Sequence, residues 1–319
     1  MRWPGRYSGQ SMALPTETRV TPLSDEAIAE GARLLLAGQA VAVPTETVYG
    51  LAADATNAEA VACIYAAKGR PSFNPLIVHV PDLEAAERIG RFDEQAKALA
   101  SAHWPGPLTL VVPLRENSGI AGIVTAGLAN IALRAPAHPA MQALLKAAGR
   151  PLAAPSANAS GQISPTRASH VIASLGRRIP LVIDGGATER GIESTIVAAT
   201  GGPLRLLRRG PIDIPGAELA SGDDIEAPGQ LASHYAPRKP LRLDATKAQE
   251  GEFLIGFGPI QGEVSLSETG DPIEAATRLF DLLHQADAAP EPRIAIAPIP
   301  GPGIAAAIRD RLQRAAAPR

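Results

Sequence analysis

The chain is poor in several things, and each shortage closes a door. Aromatic residues make up only 3% of its 319 positions, so the core must be built from Ala, Val, Leu and Ile. A single cysteine, Cys63, excludes an intramolecular disulfide and any multi-cysteine zinc site, and its place on the apolar face of a predicted helix reads as a packed core thiol rather than a nucleophile. Charge of either sign is not in excess: the net charge of −2 argues against a chain that wraps nucleic acid by bulk electrostatics, although a local basic groove remains compatible with it. No run reaches membrane-spanning length, and the opening MRWPGRYSGQSM lacks the apolar stretch of a signal peptide. The expectation is a cytoplasmic protein with no membrane partner, and Met12 is an alternative start.

What is present is the composition of a soluble α/β protein, 45% hydrophobic and 19% charged, long enough for two domains. One stretch organises the rest, residues 44–80: PTETVYGLAADATNAEAVACIYAAKGRPSFNPLIVHV. The apolar run 40–43 before it reads as a buried strand, which Pro44 ends because proline cannot donate to a sheet ladder. Asn57 can cap a helix whose Val61, Ile64 and Tyr65 recur at helical spacing, Gly69 and Pro71 close that helix, and 76–80 reads as a second buried strand. The expected unit is strand, loop, helix, strand. Ligands of open α/β sheets bind at the carboxyl ends of strands, so Thr45, Glu46, Thr47, Lys68, Arg70, Asn74 and His79 can share one crevice. Lys68 and Arg70 flank Gly69 so that both can reach one polyphosphate. As a helix terminus, the same cations simply meet the negative end of the macrodipole.

The string PTETVYGL, followed by KxR at 68–70, NPL at 74–76 and a nearby histidine, closely resembles the motif of the YrdC-like family, the threonylcarbamoyl-adenylate synthases. Later segments carry the resemblance further. A short strand at 152–154 runs into PSANASGQISPT at 155–166. Ser156 and Asn158, two apart, share one side if the segment is extended. Alone, such a pair is an ordinary Ser/Asn turn, but Ser164, Pro165 and Thr166 start a helix whose free N–H groups suit phosphate. The family's SxN and SPT motifs match these positions. Arg134, Ser194 and Arg208 fall at its LRAP-like, EST and arginine-Gly strand ends. As a bidentate carboxylate clamp Arg134 is physically apt, although an arginine paired with Asp or Glu is the usual case.

Read in order, helices are expected at 24–37 with Ser24 as cap, 83–89, 93–102, 139–148 and 168–175, and strands at 108–114, 130–133, 181–184, 194–199 and 204–207. Strands outnumber crossover helices, which predicts a mixed, strongly twisted sheet. Residues 211–240 are rich in Pro, Gly and Asp and read as a linker. They include PGQLASHYAP at 228–237, which resembles the family's linker motif. From 241 a strand and helix alternation resumes (strands 241–243, 253–256 and 294–297; helices 273–286 and 304–316), as in a small Rossmann-like domain. PGPG at 300–303 lacks both the lysine of a phosphate loop and the GxGxxG spacing, so it reads as a turn and helix start.

The resemblance therefore implies an α/β protein with a YrdC-like twisted mixed open sheet and flanking helices over 21–210, a linker or lid over 211–240, and a small Rossmann-like domain over 241–319. It implies a nucleotidyltransferase that makes threonylcarbamoyl-AMP and pyrophosphate from L-threonine, bicarbonate and ATP, for threonylcarbamoyladenosine in tRNA. By the same resemblance Lys68, Arg70, Ser156 and Asn158 are catalytic. Thr47, His79, Arg134, Ser156 and Ser194 bind threonine. Lys68, Arg70, Asn74, Asn130, Asn158, Thr166, Arg208, His234 and Tyr235 bind ATP. No Ser–His–Asp or Cys–His nucleophile set is evident, which suits catalysis by positioning and charge neutralisation. Mg²⁺ would ride on the ATP phosphates, because the motifs hold few carboxylates. Product would pass to the tRNA threonylcarbamoyl-transferase complex, with direct tRNA binding not required. Asn130, Arg209 and residues 230–232 depart from the family's usual residues. The competing readings are a double-stranded RNA or tRNA binding module and a carbamoyl-phosphate-handling domain. Against the second stand the missing cysteines and length. A chain ending at 210 is expected to fold and lose activity, the last domain acting as anchor for a lid that carries His234 and Tyr235.

Overall fold

The computed structural model describes residues 17–220, 226–230 and 233–318. Met12 and two of the linker positions that depart from the family's usual residues, Leu231 and Ala232, lie outside them. In chain order the first part runs β1 (Arg19–Pro22), α1 (Asp25–Leu36), β2 (Val41–Pro44), β3 (Tyr49–Asp54), α2 (Ala58–Lys68), β4 (Ile77–His79), α3 (Leu83–Ile89), α4 (Glu94–His103), β5 (Leu108–Pro113), α5 (Gly122–Thr125), β6 (Asn130–Arg134), α6 (Pro139–Ala148), β7 (Leu152–Ala153), α7 (Ala168–Leu175), β8 (Leu181–Asp184), β9 (Thr195–Ala198) and β10 (Arg205–Arg208). A short β11 (Glu218–Leu219) follows, then β12 (Leu241–Arg242), β13 (Glu252–Gly256), β14 (Val264–Ser265), α8 (Pro272–Ala288), β15 (Arg293–Ile296) and α9 (Ile304–Ala316).

Among the described residues the first part forms one mixed sheet in the order β1-β8-β2-β3-β7-β4-β6-β5-β9-β10-β11. Alternate residues feed opposite sides, as the two-residue period of a strand requires. Val41, Val43, Ala52, Leu181 and Ile183 face one apolar cluster with α1 and α6, while Ala42, Leu51, Ala53 and Val182 face another with α2 and α7. Helix ends follow local chemistry. Ser24 and Asn57 accept N–H groups of the first turns, and Gly69 closes α2 in the left-handed region at φ 60°.

The expected strand, loop, helix, strand unit needs correction, because a hairpin precedes the helix. β2 and β3 pair antiparallel from Val41↔Ala52 to Pro44↔Tyr49. Thr45 makes the turn: its hydroxyl accepts the Thr47 and Val48 amides and donates to the Val48 carbonyl at 2.7 Å. β3 is buried on both faces and rich in Ala and Gly, so it carries neither alternation nor β-branched residues to announce it. β1, α5, β11 and β14 were also not anticipated. Cys63 is half-buried rather than packed in the core.

The helical cover is uneven, and this positions the site. His79 pairs with Leu152 and Arg134, and Ile77 with Ala132, so these residues share the face that α1 and α6 cover further along. Over β4, β6, β5, β9 and β10 no helix of the described residues lies on that face. Ile77, Val111, Ala132, Ile196, Ala198 and Leu207 pack instead against Ala227 and Ala220 from the 211–240 segment.

The C-terminal part is a parallel sheet, β12-β15-β13-β14, with α8 and α9 against Phe253, Ile255, Ile294 and Ile296. Its core takes in Val48, Ile163, Ile192 and Tyr235 from outside that part. The two sheets are thus joined through shared apolar packing, not through the linker alone.

Candidate active site

At the edge of the helix-covered half of the sheet, a cleft of ≈ 520 Å³ opens between the β2–β3 turn, the ends of β4, β6 and β9, the loop after β7, and Pro228, Gly229, His234 and Tyr235. Thr47, His79, Arg134, Ser156, Ser194, Arg70, Arg208, His234 and Tyr235 all line it. Nine of the expected residues therefore converge.

Arg134 ends β6 beside His79. Its guanidinium donates to the Gly106 carbonyl at 3.1 Å, the Thr47 hydroxyl at 3.0 Å and the Glu46 carboxylate at 2.6 Å. Glu46 is the residue that sequence reasoning placed in the crevice without a role. It also accepts the Ala137 amide at 3.1 Å. Burial favours its neutral form, but the charge and hydrogen bond of Arg134 prevail and hold its carboxyl below the ordinary value. Arg134 is thus already matched to a carboxylate, which leaves the second hydrogen of each terminal nitrogen for a ligand. Next to it His79 is fully buried with Nδ1 unpartnered, and burial together with the Arg134 charge lowers its pKa to about 3. It is neutral at pH 7.

On the other side stand three cations, Lys68, Arg70 and Arg208, all buried and, among the described residues, none ion-paired with a carboxylate. Arg70 donates to the Asn74 and Pro75 carbonyls at 3.2 and 2.9 Å. Arg208 donates to the Ser194 carbonyl and hydroxyl, both at 3.0 Å; the Ser194 hydroxyl also meets Thr109 at 2.8 Å. Lys68 lies behind the wall rather than in it. Its ammonium reaches the Ser156 carbonyl at 2.5 Å and also donates to the Asn158 carbonyl. Burial, with Arg70 and Arg178 nearby, pushes its pKa well below the usual lysine value, and burial drops that of Arg70 to about 10. Cations held without counter-charges at such depth are an anion site in waiting. Of the two cations expected to reach one polyphosphate, Arg70 lines the cleft and Lys68 does not.

The remaining expected residues are set further off. Asn74 is fully buried with both side-chain polar atoms unpartnered, and Asn158 has Oδ1 unpartnered while its amide donates to Ala159 and Gln162. Thr166 is buried behind the cleft against His170. Asn130 heads β6 on the face of Arg134 but at the opposite end of the strand and outside the cleft wall.

His234 and Tyr235 close the cleft from above. The segment is stitched on both sides, by the His234 amide to the Arg314 carbonyl at 3.1 Å and the Ala236 amide to Gly161 at 2.8 Å. Tyr235 sits at φ 62° and stacks on Phe280 at 5.7 Å. Gly229, at φ 88°, lies so close that an added Cβ would meet the Tyr235 hydroxyl at 2.7 Å and Arg208 Cδ at 3.0 Å. The Tyr235 hydroxyl and His234 Nδ1 are buried without partners.

The carboxylate that lines the cleft is Glu193, which follows no predicted motif beyond EST. Ser164 donates to one oxygen and Arg311, from α9, to the other at 3.0 Å. A C-terminal arginine in contact with this wall gives no local signal in the sequence.

Residues 33–210 match the family called Sua5_yciO_yrdC, described as "Telomere recombination". The chain belongs to the Sua5/YciO/YrdC family. Residues 191–317 further match the "Threonylcarbamoyl-AMP synthase, C-terminal domain", so the chain resembles the Sua5/YciO/YrdC members that carry that second domain. Among curated relatives, the threonylcarbamoyl-AMP synthase of Bacillus subtilis is 38% identical, across 93% of this chain and 94% of that one. The Pyrococcus abyssi counterpart is 37% identical, across 84% and 87%. The crystal structure of P. abyssi Sua5 complexed with L-threonine superposes with a TM-score of 0.86 at 34% identity, over 94% of this chain and 98% of that one. Escherichia coli YciO matches 62% of the chain at a TM-score of 0.55 and 18% identity, a likeness of fold alone.

Proposed function

We propose that the protein is a threonylcarbamoyl-adenylate synthase, which joins L-threonine, bicarbonate and ATP into threonylcarbamoyl-AMP and pyrophosphate. The observation that carries this reading is the meeting, in one cleft, of two buried cations, Arg70 and Arg208, which pair with no carboxylate among the described residues, and a polar corner of Thr47, His79, Arg134, Ser156 and Ser194. The first group suits a polyphosphate and the second a small zwitterion. The kinship with threonylcarbamoyl-AMP synthases supports it.

In this reading the free N–H groups of Arg134 take the threonine carboxylate, and neutral His79, Thr47, Ser156 and Ser194 serve its ammonium and hydroxyl. The threonine amine adds to CO2 with release of a proton, or condenses with bicarbonate with loss of water, and the resulting carbamate oxygen attacks the α-phosphorus of ATP. Pyrophosphate leaves with the electron pair of the broken P–O bond. Arg70 and Arg208 stabilise charge on the phosphates, and Lys68 fixes the loop bearing Ser156 and Asn158. No side chain becomes covalent, and catalysis is positioning plus preorganised charge. Mg²⁺ fits as a companion of the ATP phosphates, since Glu46 and Glu193 are each engaged by an arginine and no cluster of metal ligands occurs among the described residues.

A nucleotide that touches both Arg208 and Asn130 must lie along the sheet face now covered by Ala227. Residues 226–230 and 233–235 then serve as a lid, excluding water from an adenylate that would otherwise hydrolyse. Among the described residues no helix is long and apolar enough to cross a membrane. Work in the cytoplasm and delivery of the product to a tRNA-modifying complex complete the proposal. The test is to incubate the purified chain with ATP, threonine and labelled bicarbonate. Labelled threonylcarbamoyl-AMP appearing with pyrophosphate supports the reading, and pyrophosphate release independent of threonine and bicarbonate overturns it.

A further inference from the structure

One carboxylate, Glu193, lines a cleft that suits a polyanion, and a second, Glu46, is buried beside it against Arg134. Glu46 is neutralised from within the same sheet by Arg134. Glu193 is neutralised from the other domain. Arg311 of α9 is fully buried, and its Nε lies 3.0 Å from the Glu193 carboxylate. Its side chain also lies over the Tyr235 ring, 5.5 Å from the centroid, so one residue touches both the wall of the cleft and its cover. The remaining groups about the pair are few. Ser164 donates to the other Glu193 oxygen, Asp310 meets Arg311 Nη1 at 3.1 Å but also holds Arg314 at 3.1 Å, and Arg208 feels the Glu193 charge.

Removing Arg311 would therefore strand one group above all. Asp310 is partly exposed and keeps Arg314, whereas Glu193 is buried and would keep only the Ser164 hydroxyl. Arg208 lines the same cleft as Glu193 and feels its charge. We propose that Arg311 is a positioning residue for the nucleotide: through Glu193 it keeps Arg208 available to phosphate, which makes the C-terminal domain part of the nucleotide site rather than only the anchor of a lid. The inference rests on the synthase reading given above.

The experiment compares the full chain with Arg311→Met and with Arg311→Met/Glu193→Gln, measuring ATP and threonine affinities by calorimetry and the KM and kcat of adenylate formation. Gln keeps the acceptor for Ser164 and removes the charge. Arg311→Met is expected to weaken ATP binding about tenfold, with threonine affinity changed less than about threefold, and the double variant to return ATP affinity to within about threefold of wild type. A merely structural role would leave the double variant as weak as the single one, and that result overturns the inference, as does unchanged ATP affinity in Arg311→Met. If Arg311→Met does not fold, the double variant against wild type decides: neutral replacement of a buried pair is well tolerated, so ATP affinity near wild type supports the inference and a tenfold loss overturns it. Wild-type protein that binds ATP but makes no adenylate overturns the synthase reading while leaving the charge argument measurable.

Discussion

Lys68→Met separates two roles for a lysine that ends α2 and reaches the loop after β7. As a ligand to phosphate it would be dispensable for folding. The structure makes it a latch, because its ammonium donates to the Ser156 and Asn158 carbonyls. Ser156 retains a second donor, the Asn158 amide at 3.0 Å, while the Asn158 carbonyl loses the one it has. A lost charged hydrogen bond and an orphaned buried carbonyl cost about 1–3 kcal/mol each, offset in part by relief of the repulsion from Arg70 and Arg178. The net expectation is about 3 kcal/mol. With about 2.1 cal/mol/K of unfolding entropy per residue over 319 residues, that is a fall in Tm of about 4–5 °C. Thermal melts measure it directly. Because the loop carries Ser156 and Asn158, threonine and ATP affinities should weaken together in calorimetric titration. An unchanged Tm with loss of ATP binding only would refute the latch and restore Lys68 to the phosphates.

Two further outcomes follow from the buried charges. Arg134→Ala should abolish threonine binding and destabilise the fold by about 3–5 kcal/mol, because Glu46 is left buried and uncompensated; adding Glu46→Gln should recover stability but not binding, and a double variant as unstable as the single one would show that the charge is not the cause. Acid should destabilise the protein through its histidines: the His79 pKa of about 3 and His170 pKa of about 4 lie below the ordinary 6.5, so between these values the unfolded chain binds protons that the native one does not. Stability is then lost as pH falls below 6.5, by about 2 kcal/mol from His79 alone at about pH 5, and denaturant titrations giving equal stability at both pH values would contradict it.

How much was legible depended on whether a feature is local. Helix caps are local, so Ser24, Asn57 and Gly69 could be read from residue type alone, and the helices over 139–148 and 168–175 emerge with their expected bounds. β3 escaped because a strand buried on both faces has no period, and Tyr-Gly-Leu-Ala-Ala offers no β-branched residue to replace it. The convergence of Thr47, His79, Arg134, Ser156 and Ser194 was reachable from strand ends and a family motif. Their partners were not. Glu46 and Thr47 are adjacent in sequence to a turn, yet only the register of β4 on β6 brings Arg134 to both. Arg311 stands 118 positions from Glu193, in a helix whose sequence reads as an ordinary amphipathic surface element, so neither spacing nor composition could link them.

The same non-local packing bears on what a chain ending at residue 210 would do. Pattern alone suggests a catalytic unit that stays folded once the linker and last domain are gone. Yet Val48, Ile163 and Ile192 are buried in the apolar cluster built by α8, α9 and the C-terminal sheet, and Glu193 takes its counter-ion from α9. Exposing three such side chains costs about 1.5–3 kcal/mol each, so about 5–9 kcal/mol before the stranded carboxylate is counted. Whole domains are stable by only about 5–15 kcal/mol. The truncated chain is therefore expected to be marginal or unfolded rather than folded and inactive, with loss of a cooperative melt and of amide protection in the β2–β3 hairpin next to Val48. A cooperative transition within about 2 °C of that of the full chain would mean that the shared packing contributes little. In that case the loss of activity on truncation would trace to the lid and to Arg311 alone.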